Sequence, residues 1–190
     1  MEEKGVPQKK NVFLIVLLSI ITLGIYPAYW YSKRIKELNN LKTEQEISTT
    51  PAVFYFGCAI ALVILEFMLI SSIITYPERY FSEISFTTSQ IVLVAGAQSI
   101  LLITIIISLY LAFKTRSIIN SAIFNKGLEN LKISKFFTFI FNLFYLQYEM
   151  NRVILNKERE KRTAPWIIFI FIFVAIAIGI FYYFYKIRYM

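Results

Sequence analysis

The chain has 190 residues, of which 57% are hydrophobic and 17% aromatic, and it carries a formal charge of +8. It has no histidine and one cysteine, Cys58, which excludes histidine-based triads, HExxH zinc sites, histidine proton shuttles and any intrachain disulfide. The apolar residues come in blocks long enough to cross a bilayer, about 20 residues each, and mean hydropathy is +0.60, so the expectation is one integral membrane domain over residues 1–190.

The basic residues flank apolar blocks and do not form one solvent face with spaced aromatics. They read as topology determinants, and no nucleic-acid partner is expected. Met1 to Lys10 is a polar tail. With the apolar run that follows, it resembles a signal peptide. The best cleavage position, after Ala28, places Tyr26 where a small residue is needed, so the segment is expected to be retained. Val12 to Tyr31 is the first apolar segment, interrupted at Thr22-Leu23-Gly24-Ile25-Tyr26-Pro27 by a permissive glycine and by a proline that lacks a backbone donor. Tyr31, Ile35, Leu38 and Leu41 then recur at helical spacing among Lys33, Arg34 and Lys36, the pattern of an amphipathic surface helix.

A polar linker over 43–50 leads to Pro51, which suits a helix start. Ala52 to Tyr76 and Ile91 to Phe113 are each long enough to span, the second continuing as helix to a stop near Gly127. Between them, Glu78 to Gln90 reads as a polar connection with Arg79 its single basic residue. Phe136 to Tyr148 is apolar but only about 13 residues long, too short for a comfortable span, and it is interrupted by Asn142 and Gln147. Met150, Val153 and Ile154 make a second amphipathic stripe, and Lys157 to Arg162 is a charged run. Trp166 to Tyr185 is a further full span, with Ala175 and Gly179 as a small pair; Gly57 and Ala61 are the equivalent pair in the first span.

Placing Tyr26 over Tyr145 aligns two similar orders of parts: apolar run, breaker, Tyr-x-x-Tyr, basic amphipathic helix, linker, proline, span. Lys33 then falls on Arg152 and Ile35 on Ile154. This predicts an internal repeat over 12–76 and 136–186, joined by a helix over 91–126. Charge selects the topology. If all five apolar segments cross, the 20 basic residues divide nine against eleven and give no orientation. If the first and fourth dip in and return, seventeen of the 20 basic residues collect on one side, a decisive positive-inside bias. The predicted fold is therefore all-α integral membrane: three transmembrane helices plus two half-inserted helical hairpins with amphipathic cytoplasmic helices, and the amino terminus cytoplasmic. Four transmembrane helices is the alternative.

Glu66, near the middle of its span, is a candidate intramembrane polar site with Gln98 and Ser99, because a carboxyl at that depth is costly. It is read either as a protonated packing group bonded to Gln98 or as a proton or ion site. Thr22, Gly24, Tyr26, Pro27, Tyr29, Trp30, Lys33, Arg34, Tyr145, Tyr148 and Arg152 form a candidate interface or lipid-facing motif. No phosphate-binding loop, dinucleotide fingerprint, carboxylate pair or CxxC is present, so no enzyme activity, metal or cofactor is expected. The expected partners are membrane lipids and either further copies of the chain or other membrane proteins.

The stretch from Leu17 to Tyr31, with Lys33 and Arg34 behind it, resembles a bacterial membrane family sharing a T-L-G-I-Y-x-x-Y-W pattern and an Asn-rich exit, which Leu38, Asn39 and Asn40 fit. The resemblance covers residues 17–40. It implies a multi-pass protein of the bacterial cytoplasmic (inner) membrane with a domain of unknown function, and it supplies no catalytic or ligand residues. The second copy departs from the pattern: Asn142-Leu143-Phe144 replaces Leu23-Gly24-Ile25, and Glu149 replaces Trp30. The expected function is a noncatalytic integral membrane protein that organises lipid or binds partner proteins; the alternative is a small oligomeric transporter or channel subunit built on Glu66.

Overall fold

The computed structural model describes residues 7–41, 43–75, 87–155 and 164–188. Parts of the chain discussed above that lie outside the described residues include the amino-terminal six, most of the connection around Arg79, and the charged run 157–162. Every described element is helical: α1 (Val12–Ile21), α2 (Ile25–Asn39), α3 (Thr50–Thr75), α4 (Thr88–Asn125), a 3-10 turn (Glu129–Leu131), α5 (Lys135–Glu149), a π turn (Met150–Leu155) and α6 (Ala164–Arg188). Two compact units result, Met1–Glu158 and Arg159–Met190, the second built on α6.

The first apolar segment breaks where Gly24 predicts, and the break has a defined geometry. Gly24 N–H bonds Ser19 C=O at 2.9 Å and Leu23 N–H bonds Ile20 C=O at 3.1 Å, the paired bonds of a Schellman C-cap. Leu23 takes the left-handed position of that motif, φ 50°. Thr22 ties the two helices together: its hydroxyl donates to Leu18 C=O at 2.8 Å and accepts from Tyr26 N–H at 2.9 Å. Pro27 sits in the first turn of α2, where a missing donor is harmless. α4 ends in the same motif, with Gly127 at φ 69° and Leu128 N–H on Ile123 C=O at 3.1 Å. It starts with a capping box between Thr87 and Gln90, so Gln90, expected in the polar connection, belongs to the helix. α5 is broken inside by Asn142, at φ 47° and ψ −125°.

α3 and α4 pack against each other along their length, and Gln90 Nε2 donates to Ser72 Oγ at 3.4 Å near one end. Two helices among the described residues are long and apolar enough to cross a membrane, Thr50–Ser72 and Thr88–Asn125. In their most apolar windows only 11% and 0% of residues are buried. Burial is concentrated instead at the opposite, basic end of the pair. There Leu111, Ala112, Thr115, Ile118, Ile119, Ala122 and Ile123 of α4 are enclosed, and α2, α5 and the π turn pack against them. α1 touches both α2 and α5. Within the first unit, α3 and α4 thus extend as a pair from a packed base made of two helix–break–helix units.

Two of the left-handed positions, Gly127 and Leu23, make opposite predictions. Gly127→Ala should lower stability by about 1 kcal/mol, because a Cβ is strained at positive φ. Leu23→Gly should be neutral or stabilising by up to about 1 kcal/mol, since it relieves the same strain. Thermal unfolding in detergent checks both.

Candidate functional site

The predicted stripe of α2 faces inward: Tyr31, Ile35 and Leu38 are fully buried. One helical step away, Trp30 and Arg34 are buried as well, at 1% and 0% exposure. They meet Gln147 of α5, whose Oε1 accepts from Trp30 Nε1 at 3.0 Å and from Arg34 Nη2 at 3.1 Å. Gln147 Nε2 in turn donates to Asn151 Oδ1 at 2.7 Å. Asn151 exchanges hydrogen bonds with the backbone of Lys10. Arg34 pairs with Glu37 one turn on, and its Nη2 also donates to Gln8 C=O at 2.6 Å. A single amide side chain therefore links α2, α5 and, through Asn151, the segment leading into α1.

A second polar chain runs beside it. Tyr31 OH donates to Asn142 Oδ1, and Asn142 Nδ2 donates to Ser108 Oγ of α4 at 2.7 Å. The residue that breaks α5 is thereby fixed to both α2 and α4. Glu149 and Arg152 form a buried ion pair. Tyr145 OH accepts from Ser134 N–H at 3.1 Å; burial first, then the nearby Glu149 charge, pushes the phenol up to about 12. Lys10 moves the other way: burial and the charges of Arg34 and Lys33 hold its ammonium below the usual lysine range.

These positions correct part of the lipid-facing motif. Trp30, Arg34, Tyr145 and Arg152 are enclosed by protein, because each has a polar group whose partner is another part of the chain and not a headgroup: Gln147 for Trp30 and Arg34, Ser134 for Tyr145 and Glu149 for Arg152. Tyr29, Lys33 and Gly24 are exposed, and Thr22, Tyr26, Pro27 and Tyr148 are half-buried. Lys33 lies 5.9 Å from the Tyr29 ring centroid and the Tyr26 ring lies tilted at 5.9 Å from that of Tyr29, so an aromatic and basic surface remains on α2. Glu66 and Gln98 are exposed. Measured from the Ser72–Gln90 contact, they lie about 9 and 12 Å along their helices at 1.5 Å per residue, at nearly the same depth. No hydrogen bond joins them among the described residues, and Ser99 Oγ is spent on Ala95 C=O at 2.8 Å. The described residues hold no group of three or more Cys, Asp or Glu placed to bind a metal.

The helix, break and basic amphipathic helix that match the sequence pattern now stand in one packed base with α3 and α4. A family model covers the same ground, over residues 10–121. The chain belongs to the family described as Domain of unknown function (DUF4234). No curated protein and no solved structure matches it. The DUF4234 region takes in α1 to α3 and nearly all of α4. Gln147, Asn151 and Asn142 lie beyond it, so the DUF4234 region is completed by side chains from α5 and the π turn.

Sequence reasoning reached Asn142 and Gln147 as interruptions of an apolar run but did not assign them partners. The usable signal was their polarity in a run otherwise apolar, opposite a segment holding a tryptophan and an arginine that each need an acceptor. Replacing Gln147 by Leu should therefore cost at least about 2 kcal/mol, by stranding two buried donors. Gln147→Glu should retain most of the stability, since it keeps the acceptor for both. Chemical or thermal unfolding of the two variants separates them.

Proposed function

We propose that this chain is a noncatalytic integral membrane protein of the bacterial cytoplasmic membrane that contacts and organises lipid at one leaflet. The observation that carries the reading is the uneven burial of α3 and α4. Among the described residues few or none in their apolar windows are fully buried, while their basic end is enclosed by two helix–break–helix units. In this reading the apolar windows face hydrocarbon. α1 and the first half of α5 enter one leaflet and turn back at Leu23-Gly24 and Asn142. α6, 25 residues of mostly apolar helix, is the third span. The exposed Phe13, Leu14, Leu17, Ile20 and Ile21 of α1 enter the acyl region, followed by Tyr26 and Tyr29 and then Lys33, the order in which a leaflet presents hydrocarbon, interface and phosphate.

The repeat is part of the proposal, and several features support it. In the register that places Tyr26 on Tyr145, Leu23 falls on Asn142, and these are the two non-glycine residues with positive φ among those described. Ser19 Oγ donates to Ile15 C=O at 2.7 Å, and at the aligned positions Thr138 Oγ1 donates to Ser134 C=O at 2.7 Å. The buried residues of α2 from Ala28 to Ile35 fall on Gln147, Glu149, Met150, Val153 and Ile154, all buried.

Single cysteines introduced at Lys4, Lys42, Lys126 and Lys161 in a Cys58→Ser background should resist an impermeant thiol reagent in intact cells, and one at Ser85 should react. Labelling at Lys42 without Lys4 would contradict the two returning hairpins; labelling at Lys4 alone would select four spans.

A second reading, an oligomeric transporter or channel subunit, is favoured by one observation. Glu66 is exposed within an apolar span, where an unaccompanied carboxyl calls for a partner from another chain. If Glu66 titrates, Glu66→Gln should fold normally and abolish pH-driven flux in proteoliposomes. Flux that survives the substitution would remove Glu66 from any titrating role.

A further inference from the structure

Three cavities line one side of α4, and their order is informative. The first, bounded by Pro51, Phe54, Ile103, Ile106 and Ile107, is apolar apart from Ser48 and Thr50 at its edge. The next is a shallow groove over Tyr110, Phe113, Lys114 and Ser117. The last is a cleft of about 550 Å³ that shares Ser117 and adds Arg116, Asn120, Ser121, Asn125 and Lys132. The linker before α3 walls all three in the reverse order, with Ser48 at the apolar end, Gln45 beside the groove and Glu44 at the cleft. The column from Ile103 to Ser117 is about 21 Å long at 1.5 Å per residue, close to the depth of one leaflet, roughly half of 40–45 Å.

The cleft is built around the backbone of one residue, Ile133. Ile133 C=O accepts from Arg116 Nε at 2.9 Å, and Ile133 N–H donates to Asn120 Oδ1 at 2.8 Å. That clamp fixes the guanidinium plane and the amide orientation together. It leaves the Arg116 terminal nitrogens, Asn120 Nδ2 and the hydroxyls of Ser117 and Ser121 without a protein partner among the described residues. All are donors or can donate. Lys132 adds a cation and Glu44 is the one carboxylate among the lining residues. A positioned arginine with convergent neutral donors matches the tetrahedral oxygens of a phosphate ester. The groove over Tyr110 and Phe113 leads from it towards the apolar cavity at Phe54, Ile103 and Ile106, which matches an acyl chain.

We propose that this column binds one anionic phospholipid, its phosphate held by Arg116, Asn120, Ser117, Ser121 and Lys132 and its acyl chain laid along Ile103, Ile106 and Phe54. The inference rests on the membrane reading above but concerns a different surface from the Tyr29–Lys33 face of α2.

The test uses the full chain in nanodiscs, with phosphatidylglycerol or phosphatidylcholine as probe and retained lipid counted by native mass spectrometry. Saturable retention of phosphatidylglycerol is expected. Loss of one charged contact, in Arg116→Gln or in the exposed Lys132→Gln, should weaken it roughly tenfold; Lys9→Gln should leave it unchanged. Lys132→Gln keeps the test valid if Arg116→Gln does not fold, because Lys132 holds no part of the clamp. Equal loss in Lys9→Gln and Lys132→Gln would mean diffuse surface attraction and overturn the site while leaving the membrane reading intact. Displacement by glycerol 3-phosphate as effective as that by the lipid would assign the cleft to a soluble phosphate and overturn the lipid assignment. A chain extracted from membranes by carbonate alone would instead defeat the membrane reading itself.

Discussion

The amide of Gln147 is the contact on which the base of this protein depends. It is the acceptor for the indole of Trp30 and for the guanidinium of Arg34, two large groups with no exposure to solvent worth naming. Buried donors of this kind are costly when unpaired, by about 1–3 kcal/mol each and more when charged. Moving α5 away from α2 would expose both at once. The polar junction therefore sets the register of the two helix–break–helix units, whereas the apolar packing around it, from Ile35, Leu38, Leu146 and Met150, would tolerate small slips.

This arrangement assigns the aromatic motif a structural role. Trp30 and Arg34 stand at a spacing that puts both on the face of α2 that meets Gln147 of α5, and Tyr31 holds the break in α5 through Asn142. The breaks themselves free the chain to reverse, and each is pinned immediately: Thr22 at the first, Asn142 through Ser108 at the second. Rigidity at the base contrasts with α3 and α4 beyond it, whose apolar windows hold few or no fully buried residues among those described. That division of labour suits a protein whose long helices are completed by surroundings of low polarity.

Much of this was legible in the residues. Gly24 marked its break because positive φ favours glycine, and the stop of α4 followed from Gly127, whereas its start, expected at Ile91, lies earlier at the Thr87–Gln90 capping box. The apolar stripe of α2 followed from helical periodicity, but it was expected on a helix lying along the membrane surface and is buried against protein instead. What could not be read was direction: tyrosine and tryptophan beside lysines suit a headgroup belt and a protein interior equally well. Only the position of Gln147, over a hundred residues away in sequence, decides that Trp30 points inward. Glu66 shows the converse. Its depth relative to Gln98 followed from helix rise, but a hydrogen bond between them did not, since sharing a level does not orient two side chains toward each other.

The orientation of Trp30 is the central claim, and lipid-borne quenching tests it most directly. The chain has two tryptophans, so a Trp166→Phe variant isolates Trp30. In bilayers of phospholipids brominated at successive acyl positions, its fluorescence should be unquenched at every depth, because Gln147, Arg34 and Tyr31 surround the indole. Quenching that peaks for bromines near the headgroup would place Trp30 in lipid and contradict the account.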